Sequence, residues 1–186
     1  YDISACLVGS EMCIRDSATD AATGRATYFS KYDIVRDDYR AVMASCALPG
    51  FCRPVKVGDR YYYDGGVADS IPLHHAIEQG CTKMVVILSN PRNFVKKPEA
   101  HRPLYKHMLH KYPKTIQSID NRHINYQASI NLASRLEKEG YVFIFAPSRH
   151  MPLSTFSKDA ALEQDLYDLG VADYEARAEE LKYFLN

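Results

Sequence analysis

Two short runs do most to limit what this chain can fold into. Residues 83–88 (KMVVIL) and 141–146 (YVFIFA) are almost continuously apolar, rich in β-branched and aromatic side chains. A strand with one wet face alternates polar and apolar residues; a strand covered on both faces has no need to. Helix-length segments separate the two runs, which is the pattern of an α/β protein with a largely parallel sheet. Composition agrees: 46% hydrophobic and 25% charged residues are ordinary globular usage, which excludes a disordered chain.

The other elements follow from local signals. Residues 26–30 (ATYFS) read as a strand after the Gly24 turn, and 55–57 and 60–63 as a hairpin around Gly58-Asp59. Residues 36–46 read as an amphipathic helix with Tyr39, Val42 and Met43 on one face, stopped by Pro49-Gly50. Residues 69–79 form a further helix that Asp69 or Ser70 could cap and Gly80 ends. A proline-punctuated basic loop is expected over 90–103 and one long helix or two over 113–139. A loop is expected over 147–155, and a helical pair broken near Gly170 over 159–185. There are no internal repeats.

The chemistry gathers at Tyr61-Tyr62-Tyr63-Asp64-Gly65-Gly66. An aromatic strand runs into a carboxylate and then two glycines, which can turn through φ > 0 and leave the carboxylate open to approach. An aspartate so placed can act as a general base, the more so if Tyr61, Tyr63 and Val67 bury it and raise its proton affinity. It would need a nucleophile, and no G-x-S-x-G elbow occurs in the 186 residues. Asp-Gly by itself is also a common ordinary turn.

The surrounding words narrow the reading. Ala44-Ser45-Cys46-Ala47-Leu48-Pro49-Gly50-Phe51 precedes Asp64-Gly65-Gly66, and Asp69-Ser70-Ile71-Pro72-Leu73 follows it. This ordered set resembles the patatin-like phospholipases, in their bacterial branch, from about Ala18 to the C-terminus. The resemblance implies a three-layer α/β/α fold. It also implies a Ser–Asp dyad in which Asp64 activates an upstream serine directly. The dyad serine and the Gly-rich oxyanion loop have no counterpart in this sequence, so the chain is expected to be a truncated, inactive piece of a lipid acyl hydrolase. A noncatalytic binding or regulatory module and an acyltransferase sharing the acyl-enzyme step are the alternatives.

Residues 1–17 (YDISACLVGSEMCIRDS) do not read like the strand such a family would place there. They resemble translated adapter read-through and are expected to be a non-native leader rather than an irregular N-terminal strand. They lack the basic start and long apolar core of a signal peptide. Residues 18–147 are then expected to be the C-terminal part of the hydrolytic domain, with 148–186 a helical extension packed on it.

Ser45 and Ser70 read as packing and capping serines rather than substitute nucleophiles. Of Cys6, Cys13, Cys46, Cys52 and Cys81, no pair shows a zinc spacing; Cys46 and Cys52 read as buried structural thiols. An odd, scattered set of thiols fits a reduced, cytoplasmic setting. His74, His75, His101, His107, His110 and His123 lack a carboxylate partner pattern, so neither metal nor cofactor is expected. With 23 basic and 23 acidic residues the net charge is +0, which offers no footprint for nucleic acid. Arg92, Lys96, Lys97, Arg102, Lys106, Lys111 and Lys114 read first as a solvated face. A rim for peripheral contact with anionic lipid headgroups is the functional alternative. The partner expected is a lipid or other ester substrate; oligomeric state is not legible.

Overall fold

The computed structural model describes residues 7–8, 11–12, 15–30, 33, 37–152 and 159–186. Much of the expected leader, the start of the helix expected at 36–46 and part of the 147–155 loop lie outside the described residues. Two short strands, β1 (Leu7–Val8) and β2 (Glu11–Met12), pair antiparallel. β3 (Arg15–Asp20) crosses the Ser17/Ala18 junction without a break and pairs with β4 (Ala26–Ser30) from Arg15 onward.

β3 and β4 join β5 (Val55–Val57) and β6 (Arg60–Asp64) in a four-stranded sheet of order β4-β3-β6-β5. All its pairs are antiparallel. Short turns dictate this for β3–β4 and β5–β6, since a parallel crossover needs a dozen residues or more and these hairpins have a handful; β3 and β6 meet across the longer stretch that contains α1. In the β3–β4 turn the Asp20 carboxylate accepts the N–H groups of Ala22 (3.0 Å) and Thr23 (2.8 Å), and Gly24 takes φ +67°. Gly58, at φ +58°, closes the β5–β6 turn.

The two apolar runs form the parallel part of the fold. β7 (Met84–Ile87) and β8 (Val142–Phe145) pair in register Met84↔Val142 to Ile87↔Phe145. α4 (Pro113–Lys138) covers one face, where Tyr126, Ile130 and Ala133 pack with Met84, Val86, Val142 and Ile144. α5 (Ala160–Leu185) covers the other, with Phe184 and Tyr174 against Phe143 and Phe145. The α/β class and its helix–sheet–helix layering hold here. The expectation of a largely parallel sheet is corrected: among the described residues parallel pairing is confined to β7 and β8.

Three helices also differ from expectation. α1 (Arg40–Ser45) buries Ala41 and Ala44, not Tyr39, Val42 and Met43, which stay exposed. Small residues let this short helix lie close on the strands, and its larger apolar side chains are left outside. α2 (Leu73–Glu78) begins only at Leu73, after Pro72; Asp69 and Ser70 are engaged elsewhere and cap nothing. α5 runs unbroken through Gly170, which has open space around it and no positive φ. A lone helical glycine costs only about 1 kcal/mol, too little to split a 26-residue helix. α3 (Arg102–Met108) occupies the end of the expected basic loop and buries none of its residues.

Candidate active site around Asp64

β6 is buried on both faces where it ends. Tyr63 packs with Ala21, Val67, Leu109, Ile116 and Ile119, and Tyr62 packs with Ala18, Phe29, Ala41 and Ala44. Asp64 lies one pleat beyond Tyr62 and is 8% exposed. Tyr61, expected to bury it, points outward and is 47% exposed. The Asp64 backbone is fixed by three neighbours. It pairs with Ala18 in the sheet, its N–H donates to Ala47 O (2.9 Å), and its carbonyl accepts Thr19 Oγ1 (2.8 Å). The Ala47 bond explains why A-S-C-A-L-P-G-F and D-G-G lie together.

The chain then turns through one 3-10 turn, Gly65–Val67, with Asp64 as its N-cap. The Asp64 carboxylate accepts the Gly66 N–H at 2.7 Å. Neither Gly65 nor Gly66 takes a positive φ, so the expected role of the glycines is corrected. Gly65 is needed for closeness: a Cβ there would collide with the hydroxyl and carbonyl of Ser17. At Gly66 a Cβ would stand 3.1 Å from Asp64 Oδ1 and 3.4 Å from Arg122 Nη2. The Gly66 carbonyl accepts both Arg122 Nε (2.6 Å) and Ser70 Oγ (2.8 Å).

Burial raises the Asp64 pKa above the ordinary carboxylate value, against the opposing pull of the Gly66 N–H and the Arg122 charge. The carboxylate is therefore a better proton acceptor than a free aspartate. It spends one oxygen on the turn and keeps lone pairs for another donor. That is what a base or an orienting carboxylate requires.

Of the other candidates, Ser70 stands beside this turn. Ser45 Oγ bonds back to Val42 O at 2.9 Å, and Ser70 serves the Gly66 carbonyl. Cys46 and Cys52 are exposed rather than buried, since both follow the end of α1 into the surface turn at Pro49-Gly50; Cys81 is the buried thiol. Tyr28 stacks on His75 with ring centroids 3.7 Å apart and donates to Asp69 at 2.6 Å. Among the described residues no group of three or more His, Cys, Asp or Glu side chains could hold a metal ion.

Sequence reasoning missed Thr19 and Arg122. Thr19 was visible only as part of an Ala-Thr-Asp strand end. Arg122 lies 56 residues from Gly66, and its one signal is a polar stripe on α4. Thr115, Ser118 and Arg122, at i, i+3 and i+7, donate to the carbonyls of Ala21 (2.8 Å), Gly24 (2.7 Å) and Gly66.

The α/β scaffold thus ends a core strand in a buried, turn-held aspartate, and comparison with known proteins adds a family to that geometry. Residues 11–77 match the family of patatin-like phospholipases, which covers β3, β6 and the Asp64 turn. Residues 112–186 match a domain of unknown function (DUF6363), which takes in α4, β8 and α5. An uncharacterized protein of Escherichia coli (strain K12), YjjU, is 39% identical over 59 residues, or 31% of this chain. That match spans only 16% of the relative's own length.

Proposed function

We propose that this chain carries the aspartate of a serine acyl-ester hydrolase acting on lipid or other carboxylic esters. Asp64 is the general base of a Ser–Asp dyad, and sequence preceding this part supplies the serine. The observation that carries the reading is the buried Asp64 carboxylate, held by the Gly66 N–H and given raised proton affinity by its burial. The patatin-like match over residues 11–77 supports the same class.

The chemistry balances with these groups. As the serine oxygen bonds to the ester carbonyl carbon, its proton passes to Asp64. The proton then goes to the departing alkoxide as the carbon–oxygen bond breaks, leaving an acyl-enzyme. Water repeats the cycle with Asp64 again as base and releases the acid. An ordinary aspartate, near ~3.9, is a weak base at neutral pH, so burial works in the reaction's favour. Without the serine the 186-residue chain is expected to hydrolyse nothing.

The test is covalent labelling of the serine-bearing parent protein with a fluorophosphonate, beside Asp64→Asn. Labelling that is strong in the wild type and lost in the variant is expected. Equal labelling of both contradicts the role of Asp64. No labelling of either turns the reading to a noncatalytic binding module, and product that depends on an added alcohol turns it to an acyltransferase.

A further inference from the structure

We propose that Arg122 is a positioning residue of the Asp64 site, which makes the segment of unknown function over residues 112–186 part of the catalytic apparatus. The inference rests on reading Asp64 as the base and deepens it.

The geometry begins with the Gly66 carbonyl. Arg122 Nε donates to it at 2.6 Å and Ser70 Oγ at 2.8 Å, so both its lone pairs are occupied and the Gly66–Val67 peptide plane is held from two sides. The adjoining Gly65–Gly66 peptide presents its N–H to Asp64 Oδ1 at 2.7 Å. Anchoring Gly66 on its carbonyl side limits how far that N–H, and the carboxylate it holds, can shift. The other arm of the guanidinium, Nη1, donates to Glu99 Oε1 at 3.1 Å. A planar fork serves two acceptors in fixed directions, which a lysine ammonium on a flexible stem does not.

Glycine at position 66 also admits the cation. Asp64 Oδ1 and Arg122 Nη2 both lie within 3.4 Å of the point where a Gly66 Cβ would stand, so a side chain there would crowd both groups. Arg122 does not reach this place by chance packing alone. It is the last member of the α4 stripe, after Thr115 and Ser118, that fastens the helix to the ends of β3 and β6. Gly24 seals the same contact: a Cβ there would fall 2.5 Å from Lys114 O.

The charged groups around the turn are few among the described residues. Arg122 faces it from α4, with Glu99 as the counter-ion behind. Asp20, at the end of β3, is turned to Arg60 (3.0 Å) and to its own turn N–H groups; Asp69 accepts from Tyr28. Arg122 therefore opposes the effect of burial on Asp64, and Glu99 moderates Arg122.

The deciding measurement is the titration of the Asp64 carboxylate by carbon-13 NMR in this chain, assigned with Asp64→Asn. Wild type is compared with Arg122→Gln, Arg122→Lys and Glu99→Gln. In R122Q the Asp64 pKa is expected to rise by roughly one pH unit, the low end of what a nearby opposite charge does. R122K, which keeps the charge without the fork, should fall between R122Q and wild type. E99Q, which removes the counter-ion and leaves the Gly66 bond in place, should lower it. An Asp64 titration that moves in neither R122Q nor E99Q overturns the proposal. If R122Q fails to fold, E99Q alone decides.

In the serine-bearing parent, R122Q is expected to lower kcat more than it raises KM and to move the acid limb of the pH profile upward, with partial recovery in R122K. If Asp64→Asn keeps full turnover there, the base reading fails. The NMR titration still decides whether Arg122 acts on Asp64.

Discussion

Asp64 and the two glycines after it show how much a short motif can say. That a carboxylate ends a core strand beside a tight turn was legible, because Tyr62 and Tyr63 are too apolar to leave in water and Asp-Gly cannot continue a strand well. How the glycines serve was not legible. Sequence allows the φ > 0 reading, whereas the structure uses Gly65 to bring the turn against Ser17. Gly65→Ala is therefore expected to cost about 2 kcal/mol or more, through forced displacement in a packed site. Thermal unfolding measures it, and an unchanged melting temperature would show the strand and turn can separate at little cost. Arg122 was illegible for a different reason. Its partner is a backbone carbonyl 56 residues away, and no local pattern records a bond to a main-chain atom.

At the scale of elements, the apolar runs and the Gly58-Asp59 hairpin were readable because each is fixed by its own residues. Pairing direction was less so: β3–β4 and β5–β6 are antiparallel because short turns join them, a fact of connection length rather than of strand composition, while the β3–β6 pairing between the two hairpins is set by tertiary packing. α5 shows the limit of reading breakers from sequence. It buries none of its residues fully, yet its 26 residues run unbroken through Gly170, with Arg177 donating to Ile144 O at 2.6 Å and lying over the Phe143 ring at 4.4 Å. Gly170→Ala removes backbone freedom from the unfolded chain and meets no neighbour, so it is expected to stabilise by roughly 0.5–1 kcal/mol. A loss of stability in denaturant unfolding would mean the helix bends at that point.

Over the whole molecule, the two family matches meet at the site: the segment from 11 to 77 supplies Asp64, and the segment from 112 to 186 supplies the arginine that faces it. No helix among the described residues is long and apolar enough to cross a membrane. Of the basic stretch, Arg92 and Arg102 are committed to Glu137 and Asp120, while Lys106, Lys111 and Lys114 are exposed. Beside them Leu104, Met108 and Phe51 are exposed apolar side chains, and Met108 Sδ lies 3.8 Å from the place of a Gly50 Cβ. Binding to anionic vesicles over neutral ones, reduced several-fold by Lys106→Gln with Lys111→Gln, is the outcome expected of a lipid rim. Equal binding would leave these lysines a solvated face. The central claim, that Asp64 is the base of an ester hydrolase, is tested most directly by ester turnover in the serine-bearing parent with and without Asp64→Asn. Asparagine can still accept the Gly66 N–H. It also removes a buried charge: a carboxyl whose folded pKa is raised favours the fold at low pH and loses that contribution as pH rises through the folded value. The variant is therefore expected to melt no lower than wild type at pH 7 while turnover falls by at least ~100-fold, as loss of a general base does. Turnover retained in a folded Asp64→Asn protein would contradict the account.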